Sequence, residues 1–392
     1  MKQTKGDPQF IRSLNRRLVI DTLRRKGEMS RTDLGRRIGV EPSTITSIVQ
    51  DLMQEGLVKE VGMGTSTGGR RPILLNLNYN YGHTLGAKVE AERVLAGLIT
   101  LDGRLEASSE VKYPRGSTSK KMFTALEKAV AKLPQASRLL GVGVGISGFV
   151  HSSQNHLMYS PILGWKDEDL GTPLQRMFDC PVSISNDVNA LALGEKWHGV
   201  GQNFRNFICV TVGEGIGAGI YLEGHLYEGA SGGAGELGHT CIQINGPQCR
   251  CGEYGCLEAL ASDDFLAREA QRYGLPGDPG KLVKAVEKGD EKARDIFQQM
   301  GKHLGVGLKN LINLLNPEAI IIGGERLNAL KWFQGAMEEE LHRHSFSDEP
   351  NKIEIIAADL SEAGWLIGAG TLPLRARFLP SMPSNASAQV VG

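Results

Sequence analysis

GELGHTCIQINGPQCRCGEYGC, residues 235–256, gathers His239, Cys249, Cys251 and Cys256 into one short run. One imidazole and three thiolates suit tetrahedral Zn²⁺, and a site whose four positions are all filled by protein is structural because no place remains for water. One structural zinc per chain is the expectation. The spacing is not the CxxC pair of an ordinary zinc finger: one residue separates Cys249 from Cys251, and Gly252 and Gly255 give the following loop the freedom of a tight knuckle. Buried free thiols or a disulfide are the alternatives. Cys180, Cys209 and Cys241 fit that plainer description, although Cys241 lies near enough in the chain to rival the four. Glu236 and Glu258 stand beside the ligands, so carboxylates and a metal centre share one place.

Around this run the chain is glycine-rich and alternating. TLGAKV, RVLAGLIT, LLGVGVGI, CPVSIS, FICVTVG and AIIIGG are short apolar runs of β-formers, and helical stretches lie between several of them, around 120–133, 188–197 and 298–315. Such alternation implies α/β architecture, sheets flanked by helices. A two-lobed arrangement puts a ligand in the cleft between lobes.

The 392 residues suffice for two or three domains. Charge balances overall but is unevenly spread: residues 1–75 hold fourteen Lys and Arg against eight Asp and Glu, leaving thirty against thirty-six in the rest. Six cysteines, no signal peptide and no apolar run long enough for a bilayer point to a reducing cytoplasm and away from a membrane.

The basic head, residues 1–80, has its own pattern. Arg12 to Arg25 carries Leu14, Leu18 and Leu23 at roughly helical spacing; Ser30 is a good N-cap for a short helix that Gly39 closes; Glu41-Pro42-Ser43-Thr44 opens a third helix reaching about Glu55. Ile45, Ile48, Val49 and Leu52 form its buried stripe, while Ser43, Thr44, Thr46, Ser47 and Gln50 lie largely on the other face. LVKEVG and ILLNLN read as two strands joined by a glycine-rich loop that ends in Arg70 and Arg71. Helices followed by a ribbon with a basic tip are the parts of a winged helix-turn-helix, whose third helix enters the major groove of operator DNA while the wing arginines reach phosphates or the minor groove. A small helical protein-interaction module is the alternative.

Three stretches, the zinc run continued to LE, the upstream SNDVNALALGE and the downstream GVGLKNLINLLNPEAIIIGG, together resemble the ROK family of bacterial sugar kinases and sugar-responsive repressors. PSTITSIVQDLMQEGLV and STGGRRP resemble the winged helix of its repressor branch, the N-acetylglucosamine and xylose type, which the kinases lack. The resemblance covers nearly the whole chain. It implies an actin- and hexokinase-like (ribonuclease H-like) sugar-binding domain of two lobes, 83–190 and 191–380, with the final helix returning to the first lobe, and a homo-oligomer, dimer or tetramer. Residues 381–392 read as a disordered tail.

Matched to the family's motifs, Asp187 takes the place of the kinases' catalytic base, and Asn186, Asp187, Glu236, His239 and Glu258 are expected to contact the sugar. An Asx turn capping the next helix is the plainer account of Asn186-Asp187. GISGFV, residues 145–150, also resembles a sugar-side loop, whereas Ile162 stands where relatives often have asparagine. The nucleotide side departs further. The kinases' DxGGT reads Lys88-Val89-Glu90-Ala91-Glu92; their GTGxGxG reads GEGIGAG with Glu214 in it; and Glu325 follows IIIGG. GEGIGAG is equally a simple turn, but carboxylates where a polyphosphate would lie should repel it. The expectation is a non-enzymatic, DNA-binding repressor of carbohydrate-use genes, controlled by a sugar or sugar phosphate in a kinase-derived domain that has lost ATP. An active sugar kinase with a DNA-binding head and a regulator controlled by protein docking are the alternatives.

Overall fold

The structure, a computed structural model, describes residues 8–65, 71–343, 353–360 and 362–378. Arg70 and the tail 381–392 lie outside the described residues. The head comprises α1 (Pro8–Lys26), β1 (Met29–Ser30), α2 (Arg31–Ile38), α3 (Pro42–Gln54), β2 (Val58–Met63) and β3 (Ile73–Leu77). The Ser30 hydroxyl accepts from Asp33 N at 3.1 Å, satisfying a free amide at the start of α2. Gly39 ends that helix at φ 68°, a left-handed turn that costs glycine little. Val19, Leu23, Leu34, Ile45, Ile48 and Leu52 close the head's core, and the three strands pair antiparallel in the order β1-β3-β2.

The body repeats one topology. Its first sheet holds β4 (His83–Val89), β5 (Arg93–Thr100), β6 (Leu105–Lys112), β7 (Leu139–Ile146) and, after the small hairpins β8 (Phe149–His151), β9 (His156–Ser160) and β10 (Trp165–Asp169), β11 (Val182–Asn186). The order is β11-β7-β4-β5-β6, with β4–β6 an antiparallel meander and β7 and β11 parallel to β4 and β7. The second sheet, β12 (Phe207–Val212), β13 (Ile216–Leu222), β14 (His225–Tyr227), β15 (Ala319–Gly323) and β16 (Glu354–Ala357), has the same plan: a meander, then two parallel strands. This duplicated arrangement is the ribonuclease H-like pair of lobes.

Among the helices, α4 (Ser119–Val130) and α5 (Gly171–Met177) belong to the first lobe, and α6 (Asp187–His198) runs between the sheets. The second lobe adds α7 (Leu257–Ala261), α8 (Asp263–Arg272), α9 (Pro279–Glu287), α10 (Glu291–Leu315) and α11 (Leu330–His342). The last helix, α12 (Ala363–Phe378), packs back on β4, β7 and α6. Glycines permit this: a Cβ on Gly86 would lie 1.9 Å from the Leu366 carbonyl oxygen, and one on Gly143 1.8 Å from that of Ala369.

The head is seated on the body. Buried residues of α1, Val19, Ile20 and Leu23, belong to one apolar cluster with Trp197, Tyr221 and Leu226 of the body. The Arg24 guanidinium lies over the Trp197 ring, 4.0 Å from its centroid.

Candidate functional site

The knuckle after β14 turns back on itself: Cys249 N donates to Glu253 O at 2.8 Å, and Gly255 N to Pro247 O at 2.9 Å, with Gly252 and Gly255 at φ 99° and 71°. This brings the ligand atoms of His239, Cys249, Cys251 and Cys256 within 4.8 Å of one another. The Cys251 and Cys256 sulfurs are 3.8 Å apart, and Cys249 Sγ is 3.6 Å from His239 Nδ1. For Zn–S bonds of about 2.3 Å and Zn–N bonds of about 2.0–2.1 Å, tetrahedral edges come out near 3.8 and 3.6 Å, so the donor set fits one zinc-sized ion. Burial, then the neighbouring thiols, push the Cys256 thiol up to about 12, the direction expected of crowded sulfurs that a divalent cation would deprotonate. Cys241 is exposed and outside the group, and all six cysteines are free, so neither the rival ligand nor the disulfide is realised.

Between the lobes lies a cleft with a cavity volume of about 270 Å³. Asn186, Asp187, Glu236, His239 and Glu258 all line it, joined by Ser147, Gly148 and Ile162. Asn186 is the N-cap of α6, its Oδ1 accepting from Val188 N at 2.9 Å and Asn189 N at 3.3 Å, while Nδ2 donates to Gly148 O at 3.0 Å. The capping account of Asn186 therefore holds, and one amide hydrogen is left for a ligand. Asp187 Oδ1 accepts from Val188 N at 3.0 Å. Enclosure raises the Asp187 carboxyl to about 6, against the opposing pull of Lys88. With Nδ1 of His239 turned to the sulfurs, Nε2 stands 4.0 Å from Glu236 Oε2 and faces the cleft. Burial likewise raises the Glu236 carboxyl, His239 opposing. Glu258, 5% exposed, accepts from Ile216 N at 3.1 Å and pairs with Arg250 Nε at 3.2 Å.

The side of the cleft whose loops correspond to the kinases' phosphate loops is lined by paired side chains. Lys88 Nζ reaches Glu325 at 2.9 Å and Glu90 at 3.2 Å, and sits 3.7 Å from the Trp365 ring centroid. Burial alone would depress this ammonium, but Glu325, Asp187 and Glu90 outweigh it and hold Lys88 above its ordinary value. Burial would raise the Glu325 carboxyl, and Lys88 overrides that, holding it below. Glu325 also occupies the second loop's floor, where a Cβ on Gly213 would come within 1.9 Å of its Oε2. Glu214 is bound by Arg115 of the first lobe at 2.5 Å, and Arg250 Nη2 donates to its carbonyl at 2.9 Å. The carboxylates that the sequence suggested as repellents are thus themselves paired. Sequence reasoning missed Arg115 and Trp365, which no local motif marks; Arg250 had a signal, a cation set between two ligand cysteines.

On the head, Ser43, Thr46 and Gln50 are exposed on α3, and Thr44 and Ser47 are half-buried. The Thr46 hydroxyl donates to Pro42 O at 2.8 Å, and Ser47 Oγ accepts from Arg12 at 3.1 Å, so these two are engaged within the head. Arg71 is exposed two residues before β3 begins.

A winged helix seated on two ribonuclease H-like lobes, with a knuckle whose His and Cys side chains could hold a metal bordering the interlobe cleft, defines the class. Residues 84–376 match the ROK family, and residues 12–59 match winged helix-turn-helix DNA-binding domains. The chain belongs to the ROK family. It is 30% identical over 371 residues to the xylose repressor of Bacillus subtilis (strain 168), covering 94% of this chain and 96% of that protein. Its fold is similar to the crystal structure of a ROK family transcriptional regulator, a homolog of the E. coli MLC protein, with TM-score 0.81, 26% identity, and 94% and 97% of the two chains covered. A ROK family glucokinase from Streptomyces griseus, solved with glucose and AMPPNP, gives TM-score 0.67 and 28% identity over 74% of this chain and 99% of its own.

Proposed function

We propose that this chain is a DNA-binding repressor of carbohydrate-use genes whose interlobe cleft senses a sugar without phosphorylating it. The observation that carries the reading is the union of a winged helix with a sugar-type cleft whose nucleotide side is spanned by its own ion pairs, Lys88–Glu325 and Arg115–Glu214. The likeness to a xylose repressor and to a ROK regulator over the head as well as the body supports it.

In this reading Asp187 and Glu236 accept hydrogen bonds from sugar hydroxyls, His239 Nε2 and the Asn186 amide donate, and Glu258 holds the wall through Arg250. Polyol recognition needs such a mixture, because each buried hydroxyl must exchange water for a protein partner. Seven carboxylates line the cleft against Lys88 and Arg250, and among the described residues neither Asp187 nor Glu236 has a Lys or Arg nitrogen within 4.0 Å, so a neutral sugar suits it better than a sugar phosphate. Zinc, held by His239, Cys249, Cys251 and Cys256, braces the wall that carries His239 and Glu258. Ser43, Thr44, Thr46, Ser47 and Gln50 of α3, with Arg70 and Arg71 of the wing, are the operator-facing residues, and a homo-oligomer in the cytoplasm presents two heads to paired half-sites.

Two helices link cleft and head. α6 begins with Asp187 in the cleft and ends with Lys196 and Trp197 beneath Arg24 of α1; α12 begins near Trp365, over Lys88, and carries Arg375 to the same junction. A change in lobe closure is delivered by these rods to the head's angle. Operator affinity measured with a panel of sugars and sugar phosphates, beside a coupled assay of ATP consumption, tests the reading. A sugar-dependent change without turnover supports it; ATP-dependent phosphorylation, or indifference to every sugar, overturns it.

A further inference from the structure

At the junction of head and body a second cavity, about 200 Å³ in volume, is lined by Arg24, Arg25 and Lys26 of α1, Lys196 of α6 and Arg375 of α12, with Asp21 the one carboxylate in its wall. Asp21 is committed to Arg24, whose Nη2 donates to it at 2.7 Å, and lies 3.9 Å from Arg25. Arg375 meets Glu228 at 3.3 Å outside the wall. Lys196 Nζ donates to the carbonyls of Gly201, at 3.2 Å, and Phe204, which leaves one of its three N–H groups for a ligand. The C-terminal dipole of α1 accounts for basic residues in that last turn, but not for Lys196 and Arg375 arriving from two other elements. The cations also strain one another: burial first, then Arg25 and Arg24, hold the Lys196 ammonium below its ordinary value. Five cations converge here against only two carboxylates, Asp21 in the wall and Glu228 beyond it, and that surplus of positive charge in a walled space has the chemistry of an anion receptor.

We propose that this junction cavity binds a phosphate group, free or as a small phosphate monoester, and that the bound anion ties α1 to α6 and α12. The site lies apart from the sugar cleft and does not depend on how that cleft is read. It sits where the two helices leaving the cleft reach the head, so an occupant fixes the head at one angle on the body. The cleft then receives a neutral ligand and the junction an anionic one, each matched to the local sign of charge.

The test is calorimetry on the full chain without DNA, titrating inorganic phosphate and, separately, glycerol phosphate, against chloride at matched ionic strength. Saturable binding of one phosphate per chain is expected, and the monoester arm shows which source the cavity accepts. Arg25→Gln with Lys26→Gln alters exposed side chains, so folding is kept; losing two charge-assisted contacts should weaken binding by about tenfold or more. Arg71→Gln on the wing should leave binding unchanged. Heats no larger than those of chloride, binding unaltered in the Arg25/Lys26 variant, or binding abolished by Arg71→Gln, which would place the anion on the DNA face, each overturn the proposal.

Discussion

Replacing Lys88 by methionine isolates the Lys88–Glu325 contact on which the proposed loss of the nucleotide site rests. The side chain is 6% exposed and its ammonium faces Glu325 at 2.9 Å, Glu90 at 3.2 Å and the Trp365 ring at 3.7 Å. Methionine keeps most of the volume and removes the charge. Breaking a buried pair by deleting one partner costs about 3–5 kcal/mol, because the other charge stays behind undischarged. Glu325 is 40% exposed, and water screens part of that cost. We therefore expect the low end, about 3 kcal/mol, in urea unfolding at pH 7.5.

The sign with pH follows from the same contact. With Lys88 present, Glu325 sits below the ordinary carboxylate range. Without it, burial pushes both Glu325 and Asp187 upward, and a carboxyl whose folded value is raised loses stability as pH climbs from its unfolded value through its folded one. The penalty of Lys88→Met should therefore shrink at pH 5, where these groups take up protons. Adding Glu325→Gln should recover part of it, so that the double variant costs less than the sum of the two single ones in the double-mutant cycle. A loss under about 1 kcal/mol at pH 7.5, or the same loss at pH 5, would show that the pair is solvated surface and refute the reasoning.

The Asp187 carboxyl, raised to about 6, should make the wild-type protein lose stability as pH rises from about 4 to 6; Asp187→Asn should flatten that stretch of the urea-midpoint profile and weaken sugar binding about tenfold or more in calorimetry. Cys256→Ser should abolish bound zinc in metal analysis, and chelation of the wild type should lower its melting temperature toward that of the variant. Gln50→Ala should cost about 1–3 kcal/mol of operator affinity in a mobility-shift titration, with melting unchanged, and Arg71→Gln should reduce the salt slope of binding by about one.

What was legible in the sequence was local. The cap at Ser30, the left-handed Gly39 and the alternation of apolar strand and helix each act within a few residues, and each element formed close to its expected place. The helix expected around 298–315 begins earlier, at Glu291, because Asp290 caps it by accepting from Ala293 N at 3.0 Å. β6, LEASSEVK, alternates between half-buried and exposed residues as an edge strand should, yet it holds few β-formers and was not singled out. α12 shows no polar face, since it is enclosed by β4, β7 and α6, and its return to the first lobe rested on family resemblance. The His/Cys group able to hold a metal was legible because the four fall within eighteen residues, His239 to Cys256. Lys88–Glu325 and Arg115–Glu214 bridge 237 and 99 residues, and no local pattern specifies which distant carboxylate a buried cation will meet.

In the proposed reading the cleft takes no triphosphate, and those two long-range pairs change the physical reason for it. Repulsion by Glu214 and Glu325 is the simple account, but each carboxylate is already partnered, which removes much of the uncompensated charge that repulsion requires. The stronger obstacle is occupancy. A phosphate over Gly213 would have to displace the Glu325 carboxylate, freeing it from Lys88, while a phosphate entering from the Glu214 side meets the Arg115 tie between lobes. Each displacement leaves a carboxylate without its cation beside an arriving polyanion, so the costs of unpairing and of repulsion add. The same pairs join the two lobes across the cleft. In the proposed reading a sugar would enter a site already braced on its far side, and its binding energy would act on the closure angle that α6 and α12 carry to the head.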